Sequence, residues 1–196
     1  MSLRINFQRP KGQGAMFSIP NVNKMRYKYA AFALDFALAV SSDGKSEEKK
    51  IDVKAKLEAA WRFVTDSAAA YQSCNEYFKS LPRGKSLKEV LKEGDITVHC
   101  LVPKEKFTFA DVPVANAAGR DIGINPGLFL DDPAQLAATL IHELAHVAGA
   151  STNADPDDPK SRAAELALKY CLCGKQYNQE NLGLAPPEKG KDTRVV

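Results

Sequence analysis

The chain has 196 residues, is 44% hydrophobic and 26% charged, and carries a formal net charge of +3. That size and apolar content suit one compact domain with a sizeable core and argue against a disordered or fibrous chain. The charge is uneven: residues 1–30 hold six Lys or Arg and no acid, leaving 21 basic against 24 acidic residues in the rest.

Residues 1–22 read as a basic flexible arm, residues 23–185 as a single domain with a helical N-terminal part, and residues 186–196 as a disordered tail. The arm lacks the aromatic or glycine pattern of an RNA-binding module, so a solvated segment is expected and no nucleic-acid partner. Met1-Ser2-Leu3 has the look of a cloning remnant. Lys24–Val40 carries Tyr29, Phe32, Phe36 and Val40 at helical spacing and is expected to be a helix. Its apolar part is interrupted by Asp35 and is too short to span a bilayer. Ser41–Lys50 is polar and charged and reads as an exposed loop. Lys54–Leu81 follows as a long helix of about 42 Å, with Leu57, Trp61, Val64, Ala68, Tyr71 and Phe78 as its packing stripe. A short helix at Ser86–Leu91 leads to a strand at Ile96–Val102. Residues 103–120 look irregular, with an extended pair before Ile122. Asp121–Asn125 reads as a short strand. The expected class is α+β, mainly helical with a small mixed sheet, with its catalytic portion at about residues 95–180.

The most informative stretch is 138–150, Ala-Ala-Thr-Leu-Ile-His142-Glu143-Leu-Ala-His146-Val-Ala-Gly-Ala. Two of the chain's three histidines stand here in H-E-x-x-H spacing. From Ala134 to Ala150 the helix is apolar nearly all round and should be buried. Asp132 suits its N-cap, with Pro133 at the first helical position and Gln135 completing a capping-box pattern. Burying even one unpaired neutral polar group costs roughly 2–7 kcal/mol, and a charge costs more. A bound cation removes that cost. At about 100° per residue, His142 and His146 lie one above the other and can both reach a zinc ion at roughly 2.0–2.1 Å. Glu143, one residue round, can hold the zinc-bound water and take its proton as the water attacks a carbonyl.

This stretch resembles the zincin metallopeptidases, over roughly residues 118–175. The resemblance implies a zinc-dependent peptidase with peptide or protein substrates. It also implies an edge strand that binds extended substrate by backbone pairing, for which Asp121–Asn125 is the candidate. A catalytic zinc normally has three protein ligands. His99, far upstream on the Ile96–Leu101 strand, is expected to be a core residue rather than a ligand. The position of a third histidine in the extended motif is Thr152, which is not a ligand of that kind.

Two carboxylates remain. After Gly149, which suits a left-handed helix end, and a loop over 150–157, Asp158-Pro159 starts another helix. Glu165 is read two turns inside that helix, and the arrangement resembles the short gluzincins, which take a glutamate from the next helix. Ala164 and Lys169 stand where the fuller thermolysin-type pattern has an asparagine and an aspartate. The alternative is a loop aspartate as in the deuterolysin-like aspzincins. Asp157 has better register than Asp155, although Lys160-Ser161 replace that family's Tyr-Gly. Glu165 is the leading third ligand and Asp157 the alternative. Candidate donors to a transition-state oxyanion are Tyr170, Tyr177 and Arg162.

Two other functions fit the same residues: a zinc-containing binding module without turnover, and a metal-dependent deacylase or amidohydrolase on a non-protein substrate. An intact Glu143 argues against the first. No cleavable signal or membrane-spanning segment is read, so a cytoplasmic location and export without a signal stay open, as does the oligomeric state. Cys74, Cys100, Cys171 and Cys173 allow two disulfides or buried thiols, and Cys-Leu-Cys is not the spacing of a zinc knuckle.

Overall fold

A computed structural model describes residues 2–7, 27–32, 36–42, 45–103, 115–130, 133–151 and 162–171. The architecture is α+β, with a small mixed sheet covered on one face by helices. Strand β5 (Ile96–Pro103) is the centre of the sheet. On one side it pairs in parallel with β7 (Asp121–Ile124). On its other side β1 (Leu3–Ile5) runs parallel to its first half and β2 (Tyr27–Ala30) antiparallel to its second half. The antiparallel β6 (Ala115–Ala118) closes onto β7 through a two-residue turn, where Gly119 holds φ +64° at the first turn position. Among the described residues, β6 is the outer strand on that side. A separate hairpin joins β3 (Phe36–Ser42) to β4 (Lys45–Ile51).

The two faces of β5 differ in chemistry, as the two-residue period of a strand requires. Ile96, Val98 and Cys100, with Ile122 and Ile124 of β7, are buried in the main core beneath the helices. The other face presents Thr97, His99 and Leu101, with Tyr29, Gly123, Asn116 and Asp121 at matching register positions. His99 is buried there: it shares a 2.7 Å contact with Asp121 through Nε2, and Asn6 lies 3.0 Å from its Nδ1. It is thus a core histidine. Tyr29 lies across the bare backbone of Gly123, and its hydroxyl donates to the Asn116 carbonyl at 2.8 Å.

The helical layer contains α1 (Val53–Arg62), α2 (Gln72–Ser80), α3 (Leu87–Lys92), α4 (Pro133–Val147) and α5 (Ala163–Cys171). In it α4 packs against α1 and α5, and α5 against α2. Ser86 caps α3 in a reciprocal capping box with Glu89. Cys74 of α2 and Cys171 of α5 form a disulfide across 97 residues of chain. Cys100 is a buried thiol, which burial pushes up to about 12. Among the described residues, no helix is long and apolar enough to cross a membrane.

Four expectations are corrected. The described part of the helix expected over residues 24–40 is not helical: Tyr27–Ala30 is β2 and residues 36–40 belong to β3, because the open edge of β5 recruits Tyr27–Ala30 and pairing outweighs local spacing. Residues 41–50 are not a loop, since they belong largely to the β3–β4 hairpin; Asp43-Gly44 between the paired runs is its sequence signal. The Lys54–Leu81 helix is interrupted. A π-helical turn at Phe63–Ser67 and a 3₁₀ turn at Ala68–Ala70 follow α1, and Tyr71 is extended. There the Thr65 hydroxyl bonds back to the Trp61 carbonyl, and Asn75 donates to the carbonyls of Ala69 and Tyr71. The outer strand is not Asp121–Asn125, because β7 lies between β5 and β6. The arm over most of residues 1–22, the tail from 186, Asp155, Asp158 and Cys173 lie outside the described residues.

A Cβ at Gly123 would stand 2.6 Å and 2.7 Å from Leu101 side-chain atoms and 2.7 Å from the Tyr29 ring. Gly123→Ala is therefore expected to destabilise the fold by about 1–3 kcal/mol, read as a lower denaturant midpoint at unchanged slope.

Candidate metal centre

Helix α4 is buried over most of its circumference, with Leu136, Ala138, Leu140, Ile141, Leu144, Ala145 and Ala148 within the core, while His142 and His146 are half-buried. Its C-terminus is built to stop at a defined residue. Gly149, at φ +96°, donates to the His146 carbonyl, and Ala150 donates to the Ala145 carbonyl, the paired bonds of a Schellman ending. Arg83 adds two contacts from the α2–α3 connection, its backbone N–H to Ala148 O at 3.1 Å and its guanidinium to Val147 O at 3.0 Å. A cation there also complements the helix dipole.

That ending also orients His146. His146 Nδ1 lies 3.2 Å from the Ala150 carbonyl, which can only accept, so Nδ1 donates there, and in the neutral tautomer that this bond selects Nε2 carries the lone pair. His146 Nε2 faces His142 Nε2 at 3.1 Å, with the rings 4.8 Å apart and tilted at 75°. Two imidazole nitrogens at that separation can each reach a shared ion at roughly 2.0–2.1 Å. Glu143 is 4% exposed, and its Oε2 is buried without a hydrogen-bond partner. Glu165 Oε2 is likewise buried and unpartnered. It lies in the first turn of α5, not two turns in, because the helix begins at Ala163.

Charge and burial act together here. Burial, and then the Glu165 carboxylate, push Glu143 up to about 8. Burial, and then His146, push His142 down to about 4, so it is neutral at pH 7. Two imidazole nitrogens and two carboxyl groups, each with a buried and unpartnered oxygen, are a donor set that suits zinc. The four groups are not gathered as one cluster: among the described residues, no three His, Cys, Asp or Glu side chains group closely enough to hold a metal ion. The histidine pair is formed, and Glu165 stands within electrostatic reach of Glu143. Asp157, Asp132 and Thr152 lie outside the described residues.

The oxyanion-donor candidates fare unevenly. Tyr170 stacks on Tyr77 at 4.6 Å, on the α2 side of α5, and Arg162 is exposed at its start. Tyr177 lies outside the described residues. Two tyrosines from the N-terminal part stand within electrostatic reach of Glu143. Burial, and then the Glu143 charge, raise the hydroxyls of Tyr27 and Tyr29 above the usual range. The hydroxyl of Tyr29 is engaged with Asn116, whereas Tyr27 is half-buried one strand position pair further along the same face. Their alternation in Tyr27-Lys28-Tyr29 was the available signal, and a helical reading of the segment conceals it. Compared with protein-family models, curated proteins and solved structures, the chain finds no match.

The pKa shifts set a pH dependence for the metal-free chain. Glu143, raised from 4.5 to about 8, contributes stability below pH 4.5 that is lost as pH rises through 8. His142, lowered from 6.5 to about 4, contributes the opposite slope, complete by about pH 6.5. The two offset one another between pH 4.5 and 6.5. From pH 6.5 to 8 the Glu143 effect stands alone, so stability should fall with rising pH. Glu143→Gln should flatten that fall and raise the pH 8 melting temperature, as thermal melts of the metal-free proteins at half-unit pH steps would report.

Proposed function

We propose that this chain is a zinc-dependent peptidase of zincin type, with His142, His146 and Glu165 as metal ligands, Asp157 the alternative to Glu165, and Glu143 as general base. The observation that carries the reading is the facing pair of imidazole nitrogens, 3.1 Å apart on a buried helix, beside a buried carboxylate whose outer oxygen has no partner. Bound zinc would supply a Lewis acid and a water whose pKa is lowered towards about 7.

The protein's own groups then divide the work. Beside a cation the Glu143 carboxyl ionises, takes a proton from the attacking water and delivers it to the leaving amine. His146, tied through Nδ1 to Ala150, keeps Nε2 available as a ligand. Tyr27 is the candidate donor to the oxygen on which negative charge develops. An extended peptide would lie along β6, whose closing hairpin pair Ala118 and Asp121 leaves the backbone groups of Ala117 and Ala115 directed outward. The small side chains of Ala115, Ala117 and Ala118 keep that approach open.

Zinc per chain, measured by elemental analysis on folded wild type, His146→Ala, Glu165→Ala and Asp157→Ala, tests the ligand set. The wild type should hold about one zinc, and His146→Ala should hold none. Loss in Glu165→Ala but not Asp157→Ala supports the gluzincin-like set, and the reverse supports the aspzincin-like one. A folded wild type that takes up no zinc overturns the reading. Glu143→Gln should retain zinc and lose peptide cleavage. Full zinc retention with no cleavage by the wild type across a peptide library would redirect the proposal to a non-protein amide. Tyr27→Phe should lower kcat by about 10²–10³ at unchanged zinc content, the usual cost of one oxyanion donor.

A further inference from the structure

We infer that the Cys74–Cys171 disulfide is a redox-sensitive clamp that holds α5, and with it Glu165, in position against α4. Its consequence for zinc rests on the proposed ligand set; its consequence for the mobility of α5 does not.

The contacts of α5 explain why a cross-link matters there. Its buried residues are Ala164, Ala167, Leu168 and Cys171, so three of the four bring only a methyl or a thiol-sized group to the core. Apolar stabilisation scales with buried area, and such a face is a thin anchor. Besides packing on α4, α5 is tied to one face of α2 by a covalent bond and hydrogen bonds. Ser73 donates to the Tyr170 carbonyl at 2.9 Å, near the end of α5 where carbonyls lack helical partners. Cys74 forms the disulfide. Tyr77 donates to the Ala163 carbonyl at 2.7 Å and stacks on Tyr170. All three α2 residues lie within five positions, so these bonds from α2 to α5 are concentrated on one short patch. Glu165 lies six residues from Cys171, about 9 Å along the helix axis, within the segment the bond restrains.

Opening the clamp needs only a dithiol. Its thiolate attacks one cysteine sulfur and breaks the S–S bond, giving a mixed disulfide. The second thiolate of the reagent then displaces the remaining cysteine sulfur. Two electrons pass from the dithiol, which ends as a disulfide, and its two protons end on the thiols of Cys74 and Cys171. Both cysteines are fully buried, so attack requires α5 to lift from α2 first. An oxidising compartment keeps the clamp closed and a reducing one opens it.

The test uses the full chain in a Cys173→Ser background, so that no third nearby thiol re-pairs. Hydrogen exchange is compared between the metal-free oxidised protein and protein reduced with dithiothreitol, with thiol titration confirming the state. Zinc affinity is measured by chelator competition on the oxidised chain and on Cys74→Ala/Cys171→Ala, which needs no reductant. On opening, α5 amides should exchange at least tenfold faster while α1 and α4 keep their protection. The double variant should bind zinc about 10–100-fold more weakly, and adding Glu165→Ala to it should cost nothing further. Unchanged α5 protection, or equal loss across α1 and α4, overturns the clamp. Equal zinc affinity in the linked and unlinked chains overturns it while leaving zinc binding intact. Selective loosening of α5 in a chain that binds no zinc in either state keeps the clamp and removes the peptidase reading.

Discussion

Every element that touches α4 has to accommodate one constraint: a largely buried helix carries two half-buried imidazoles and a buried carboxyl group near its C-terminal end, with a carboxyl oxygen left unpartnered. An orphaned buried acceptor costs about 1–3 kcal/mol, and more when charged. The fold does not relieve this by exposing Glu143 to water. It encloses the helix between α1, α5 and the sheet and shifts protonation instead, holding Glu143 towards its neutral form and His142 neutral. A cation among these groups would reverse the first shift and use both nitrogens, which is why the burial of α4 bears on function as well as on packing.

The supports for this helix come from distant parts of the chain. Arg83, from the connection between α2 and α3, closes the last turn of α4, and the Schellman ending at Gly149 sets the carbonyl that orients His146. The first thirty residues contribute Tyr27 and Tyr29 through β2 rather than standing apart as an extension. Tyr29 crosses Gly123 to reach Asn116, so the geometry of the outer strand depends on a residue almost ninety positions earlier. The C-terminal α5 packs on α4 and is tied to α2 by a disulfide, two hydrogen bonds and a ring stack.

Much of the helical half is legible in the residues because its signals are local. Ser86 and Glu89 announce α3 by a reciprocal capping box, Gly149 announces the end of α4, and the apolar circumference of 134–150 announces its burial. The π-helical turn after Arg62 and the break at Tyr71 carry no proline or glycine, so the continuous stripe from Leu57 to Phe78 conceals them. The strands were harder to read. Tyr29, Phe32, Phe36 and Val40 satisfy a helical period as well as they satisfy a sheet, and only the vacant edge of β5 decides between the two. Likewise nothing within Asp121–Ile124 says whether it is an inner or an outer strand; that follows from β6 pairing beyond it.

By itself, then, the sequence determined the chemistry of the centre: which residues could bind a metal, their spacing on one helical face, and the expectation that the face is buried. Those properties follow from composition and the helix repeat alone. The tertiary structure decided which remote groups stand near them: the tyrosines of β2, the carboxylate of Glu165 beside Glu143, and the pairing of Cys74 with Cys171 rather than with either of the other two cysteines. These are contacts between residues that are far apart along the chain. They depend on which sheet edges and helix faces remain open once the local elements have formed, and no local pattern encodes that choice.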